Sequence, residues 1–144
     1  MVKFNLADDV KKTNKNNLVL DPFADQILLP KDKSIIKSIV GIDCSWTLAD
    51  KAFSKKFDGI KRKLPPLLAG NPVNYSKLNK LTTAEAMAAS LFILGFKNDA
   101  FDLLNKFKWG HTFFELNQNL LAEYSNLSSE SDLDNIIKDY GLGV

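Results

Sequence analysis

Pro65 and Pro66 stand side by side in the stretch Arg62–Tyr75, RKLPPLLAGNPVNY, near the middle of a chain of 144 residues. Each proline fixes φ and lacks a backbone N–H, so neither belongs inside a helix or in the centre of a sheet. Pro72 adds a third fixed point. The stretch therefore reads as rigid, irregular backbone whose remaining amides and carbonyls are available to other partners. Asn71 and Asn74 add side chains that hydrogen-bond in both directions. It also divides the chain. The pattern before it alternates between strand and helix, and the pattern after it is helical.

In the first half, Asn17–Asp21 (NLVLD) is a short apolar run closed by Asp-Pro, which predicts a buried strand followed by a turn. Pro30 and Asp32 open a short segment in which SIIKSI predicts one or two helical turns. Val40–Asp43 predicts a second buried strand. Thr47 begins TLAD, a capping box, and Ala49, Phe53, Phe57 and Ile60 recur at three- and four-residue intervals as a helix's buried stripe. Leu64–Leu68 is a third apolar run, held by its prolines to an edge strand or an extended segment.

In the second half, Thr82-Thr83-Ala84-Glu85 is a capping box leading into AMAASLFIL, with Gly95 as its stop. Small residues at Ala86, Ala88, Ala89 and Ser90 allow close packing on this helix. Asn98 is placed to cap a short helix ending near Phe107. Thr112–Glu115 reads as a third capping box, and its helix carries Phe113, Leu116, Leu120 and Tyr124 on one side. A last helix holds Ile136, Ile137 and Tyr140 and stops at Gly141. Two parts result, residues 1–63 and 64–144, with 62–81 as the irregular hinge between them. A ligand site at that junction is the natural expectation.

Composition narrows the function. Charged residues make up 25% of the chain and apolar residues 45%, ordinary values for a globular protein. The longest apolar run, Ala86–Phe96, has roughly half of the ~20 residues that a membrane span needs. The opening MVKFNLADDVKK does not read as a signal peptide. The single cysteine cannot form an internal disulfide, which fits a reducing cytoplasmic setting. Net charge is +2, and Arg62 is the one arginine among 19 basic residues. Lysines favour diffuse contact with phosphates over bidentate reading of bases. They cluster at Lys11–Lys15, Lys31–Lys37, Lys51–Lys56 and Lys61–Lys63, all in the first half, while the last thirty residues are acidic. Solvated lysines on helix surfaces are the first reading of this asymmetry, and one basic face is the second.

Chemistry concentrates at Asp43-Cys44-Ser45-Trp46, where the second strand meets its helix. Ligands in α/β sheets bind at the carboxyl ends of strands. Asp43 is either a carboxylate acting on a substrate proton or positive centre, or the cap of the helix behind it. Trp46 is either a flat stacking surface or core. Cys44 has no histidine near it in sequence, since the one histidine is His111. One Cys and one His fall short of a metal's usual ligand set, so no metal is expected. The chain also contains no glycine-rich phosphate loop, GxSxG or HExxH.

The order of these pieces carries a resemblance. DCSW, a helix with Phe53, RKLPPLLAGNPVNY, KLTTAEAMAASLFILGF and FKWGHTFFELNQNLLAEY follow one another as in the Tsr3 family of ribosomal RNA aminocarboxypropyltransferases, and the chain resembles that family from about residue 18 to 125. Its lysine and isoleucine content looks archaeal. The resemblance implies an α/β, SPOUT-like fold with a deep trefoil knot, built from an N-terminal α/β part and an all-helical C-terminal part, and a cytoplasmic monomer. It implies S-adenosylmethionine as donor, its 3-amino-3-carboxypropyl group as the cargo, and methylthioadenosine as the by-product. The acceptor would be N3 of a pseudouridine, commonly N1-methylated, in small-subunit rRNA or a pre-ribosomal subunit.

Carried onto this chain, the resemblance makes Trp46, Leu64 and Leu81 walls of an adenine pocket and gives the ribose hydroxyls the Ile42 carbonyl. It sets the Thr83 amide against the donor's carboxylate and makes Asp43 the candidate base for the N3 proton. Lys61 and Lys63, with Arg62, would hold phosphates. The chain departs from the family's pattern in two places. No Asp-Pro-Lys-Lys-Cys-Thr-Gly-like segment, whose threonine helps hold the donor's carboxylate, precedes VKFNLADD. Ser76 stands where the family has glycine. The other readings open at this point are a non-catalytic RNA-binding assembly factor, a SPOUT-type RNA methyltransferase and a plain helical interaction module.

Overall fold

The computed structural model of the protein describes residues 3–7, 15–42 and 58–142. Among the described residues, four short parallel strands form one sheet: β1 (Lys3–Ala7), β2 (Asn17–Leu20), β3 (Ser38–Ile42) and β4 (Ile60–Arg62), in spatial order β1-β3-β2-β4. Leu18 and Val19 of β2 lie level with Ile39 and Val40 of β3, and all four are buried. Such a sheet is closed from water on its faces, and apolar strand residues follow from that. Asn17 donates from its side chain to the Ser38 hydroxyl across the same pair.

Four α-helices follow: α1 (Thr83–Ile93), α2 (Lys97–Leu104), α3 (Gly110–Tyr124) and α4 (Glu130–Asp139). α1 is apolar nearly all round, with Met87, Ala88, Ala89, Ser90 and Leu91 buried in succession. A helix of that kind belongs at the centre of a fold, and α1 packs against α2, α3, β3 and β1. Both expected stop glycines form Schellman caps. Gly95 (φ 96) lets Phe96 N–H reach the Leu91 carbonyl, and Gly141 (φ 66) lets Leu142 N–H reach that of Ile137.

Several sequence expectations are corrected. SIIKSI is not helical: the helical turn is a 3-10 segment at Pro30–Ser34, and Ser38 already begins β3, which runs to Ile42 instead of spanning Val40–Asp43. Long-range pairing of Ser38 and Ile39 with β1 and β2 overrides the local pattern. Ile60 opens β4 instead of closing a helical stripe; the expected helix at 47–57 lies outside the described residues. β4 precedes Leu64–Leu68, which is extended and unpaired apart from single bridges at its ends, Ile27 with Lys63 and Leu68 with Leu78. β1 was not anticipated.

α2 starts at Lys97, not behind an Asn98 cap, and ends at Leu104, short of Phe107. α3 starts at Gly110, not at Thr112. The tight turn before it delivers the chain directly into the helix, and a Cβ on Gly110 would lie 1.9 Å from the Leu104 carbonyl oxygen. Only glycine can begin α3 so close to the end of α2.

Candidate functional site

The proline-rich segment is held to the helices by side chains acting in place of a strand partner. Asn117 of α3, fully buried, accepts from Leu68 N–H (2.8 Å) and donates to the Leu68 carbonyl (2.7 Å), so one side-chain amide satisfies both backbone groups of one residue. Tyr124 donates its hydroxyl to the Pro66 carbonyl at 2.6 Å. Burial, with a smaller contribution from Tyr140, pushes the Tyr124 phenol well above the usual tyrosine range, so it stays a donor. Gly70 lies directly on α3, where a Cβ would come 2.5 Å from the Phe113 nitrogen.

Glu85 does more than complete the Thr82 capping box. Its carboxylate is buried and receives four donors: Thr82 N–H (2.9 Å), the Thr82 hydroxyl (3.1 Å), Gly70 N–H (2.7 Å) and the Asn71 amide (2.8 Å). The first turn of α1 and the loop at 70–71 are thus tied to one group. Asn71 also accepts from Asn74 N–H at 3.0 Å. The polar atoms of this rigid stretch are therefore largely used internally. Beyond the loop tip, Asn79 N–H returns to the Leu67 carbonyl and Ala69 N–H to that of Lys77.

This framework forms one wall of a cavity of about 650 Å3, a size within the range of small-molecule sites. The wall consists of Lys63, Leu64, Pro65 and Pro66. Leu20, Asp21 and Pro22, at the carboxyl end of β2, form a second wall, and Asn79, Leu81 and Ala86 a third. α4 closes the remaining side with Leu133 and Ile137, and with Glu130, Ser131 and Asp134 at its polar edge. Glu130 also accepts from Ile27 N–H at 2.8 Å, which ties α4 to the strand side of the opening.

Of the residues singled out from sequence, Leu64 and Leu81 line the cavity together. Thr83 is the first residue of α1, between the lining residues Leu81 and Ala86. Its amide is one of those that a helix start leaves open, and among the described residues it has no partner. Ile42 ends β3; Val19 lies level with Val40, so the Ile42 backbone is level with Asp21 at the same end of the sheet. Asp43 and Trp46, like Cys44, lie outside the described residues. Arg62 is not free to hold phosphate. Its guanidinium grips Asp32 through Nε (3.2 Å) and a terminal nitrogen (3.4 Å), joining β4 to the 3-10 turn. Lys61 and Lys63 remain half-exposed.

Sequence reasoning missed Leu20, Pro22, Ala86 and the α4 wall. The rule that ligands gather at the carboxyl ends of parallel strands would have pointed to Leu20-Asp21-Pro22 once β2 was placed. The α4 wall is far away along the chain and carried no local signal. Chemically, the cavity joins an apolar slot faced by proline and leucine to a polar rim at strand ends and a helix start. That combination suits a flat apolar ring with hydroxyl and charged groups attached.

Residues 18–141 match a family model described as "Ribosome biogenesis protein, C-terminal". A 16S rRNA aminocarboxypropyltransferase of Methanocaldococcus jannaschii is 42% identical over 146 residues, covering 97% of this chain and 84% of the relative. A protein of the same name from Sulfurisphaera tokodaii is 40% identical over 136 residues, covering 93% and 80%. A solved structure, the SAM-dependent rRNA:acp-transferase Tsr3 from Vulcanisaeta distributa, superposes with a TM-score of 0.76 at 36% identity, covering 95% of this chain and 74% of that one. Taken with a cavity built at the carboxyl ends of parallel strands, these likenesses establish that the chain belongs to the Tsr3 family of ribosome biogenesis proteins.

Proposed function

We propose that this protein is a 16S rRNA aminocarboxypropyltransferase that uses S-adenosylmethionine in ribosome biogenesis. The observation that carries the reading is the cavity that Leu64, at the start of the proline-stiffened segment, and Leu81 line together. Relatives aligned over nearly the whole chain support it. In its finer form, the acceptor is N3 of an N1-methylpseudouridine and the by-product is methylthioadenosine.

The residues fit the donor. The adenine ring takes the slot lined by Leu64, Leu81, Leu20 and Pro22, and the family resemblance adds Trp46 as a stacking partner. The ribose hydroxyls meet the Ile42 carbonyl at the sheet's end. The Thr83 amide, at the positive end of α1, faces the donor's carboxylate. A bound sulfonium activates three carbons alike, so orientation decides which group leaves. Here orientation is set by backbone that cannot relax: Pro65 and Pro66 fix φ, while Tyr124 and Asn117 anchor the carbonyls of Pro66 and Leu68. Asp43, next in sequence after β3, removes the N3 proton of the incoming base.

We read the fold as SPOUT-like with a deep trefoil knot, an α/β part over 1–63 and a helical part over 64–144; the likeness to the Vulcanisaeta structure supports this. We read the protein as a cytoplasmic monomer that acts on small-subunit rRNA or a pre-ribosomal subunit. No helix among the described residues is long and apolar enough to cross a membrane.

Incubation with S-adenosylmethionine and unmodified small-subunit rRNA tests the proposal. Methylthioadenosine and a modified nucleoside are expected. S-adenosylhomocysteine would make the protein a methyltransferase, and RNA binding without either product an assembly factor. Asp43→Asn is expected to slow transfer by about 10²–10⁴-fold with donor affinity unchanged. Full transfer by that variant would remove Asp43 as base.

A further inference from the structure

The turn beyond Gly70 combines rigidity with exposure. Val73 is 84% exposed and Tyr75 57%, the two most exposed of the large apolar side chains among the described residues. Loops that present such groups to water are usually mobile, yet this one is tied down. Ser76 N–H bonds the Ala69 carbonyl (2.7 Å), Lys77 N–H that of Asn74 (2.9 Å), and Asn71 fixes the tip to Glu85. An aromatic side chain carried on backbone fixed in this way is prepared for a partner, because the turn itself loses little entropy on binding.

Charge indicates which partner. Between Asp58 and Glu85 the chain carries five basic residues and no acidic one. Arg62 is occupied by Asp32, whereas Lys77 and Lys80 are exposed and pair with no described carboxylate. Tyr75 is four residues from Asn79, a cavity wall, so it lies within roughly 14 Å of the cavity by chain length alone. That is the range of nucleotides flanking one extruded at the cavity mouth. An exposed aromatic face close to two exposed lysines, with the nearest carboxylate along the chain, Glu85, buried, matches unpaired RNA, in which bases stack and phosphates need cations.

We propose that the Asn71–Lys80 turn receives the unpaired rRNA segment that carries the target nucleotide, with Tyr75 stacking on a flanking base and Lys77 and Lys80 holding phosphates. The proposal rests on the aminocarboxypropyltransferase reading and names the RNA contact of that same site.

Fluorescence anisotropy of the full chain with a labelled oligouridine, and with an unmodified small-subunit rRNA transcript, tests it. Calorimetry with S-adenosylmethionine runs in parallel. Tyr75→Ala should weaken RNA binding by roughly 5- to 150-fold, and Tyr75→Phe should restore it. Lys77→Glu, an exposed change with no packing role, should weaken it too. Lys77→Ala with Lys80→Ala should flatten the salt dependence by roughly 0.7 per lysine. Donor affinity should not change in any variant. RNA affinity and salt slope equal to wild type in both the tyrosine and lysine variants would overturn the proposal. So would a Tyr75→Ala variant that keeps RNA binding but loses cross-linking to a ribosomal protein. Failure of the wild type to bind S-adenosylmethionine would sink the enzyme reading instead, because the RNA measurement does not depend on the donor.

Discussion

Ser76 adopts a left-handed backbone with φ 63, and Asn79 does so with φ 59. Asparagine tolerates that region; serine does so less readily, because its Cβ crowds the carbonyl. The glycine expected at position 76 from the family resemblance is thus a conformational requirement, and this chain meets it under strain. Ser76→Gly should stabilise the protein by about 0.5–1 kcal/mol, read as a higher urea midpoint at unchanged slope. Glu85 shows the opposite case, in which chemistry is fixed and shape is not at issue. Both of its oxygens receive donors. Glu85→Gln turns one oxygen into a donor facing a donor and should cost about 1–3 kcal/mol in the same experiment.

At the scale of elements, α3 is the anchor post for the site. Its Tyr124 has a raised folded-state pKa. Raised means that the folded protein holds this proton more tightly than the unfolded chain does. The resulting stability is complete below the unfolded value of about 10 and is lost as pH rises beyond it. Wild type should exceed Tyr124→Phe in unfolding free energy by a constant margin below about pH 10, and the margin should shrink above it. Urea titrations of both proteins across the alkaline range give this directly. The helices were the legible elements, because caps and stops are local chemistry: Thr82, Gly95 and Gly141 lie within a turn of what they control. The start of α3 was misread because its cause is the Leu104 carbonyl, a contact with no sequence pattern. β4 was misread for a similar reason. Ile60-Lys61-Arg62 does not look like a strand of an inner sheet until Asp32 pairs with Arg62 from thirty residues away. Of the cavity, the proline segment was readable because proline declares its own geometry. The wall from α4 was not, because helix periodicity shows that Ile137 faces inward without naming what it faces.

For the whole molecule, S-adenosylmethionine, as the proposed donor, should bind the folded state and raise its stability by about 2.7 kcal/mol at a hundredfold excess over Kd. A thermal melt with and without the donor measures this. Leu81→Asp, which puts a charge into the apolar slot, should abolish the gain while the ligand-free melt stays cooperative. The cavity draws on Leu20 at one extreme and Ile137 at the other. During translation, therefore, the chain must leave the ribosomal exit tunnel as far as Ile137 before the cavity has all its walls. Synthesis and loading are thus separated in time, and a copy still short of Ile137 does not compete for the proposed donor.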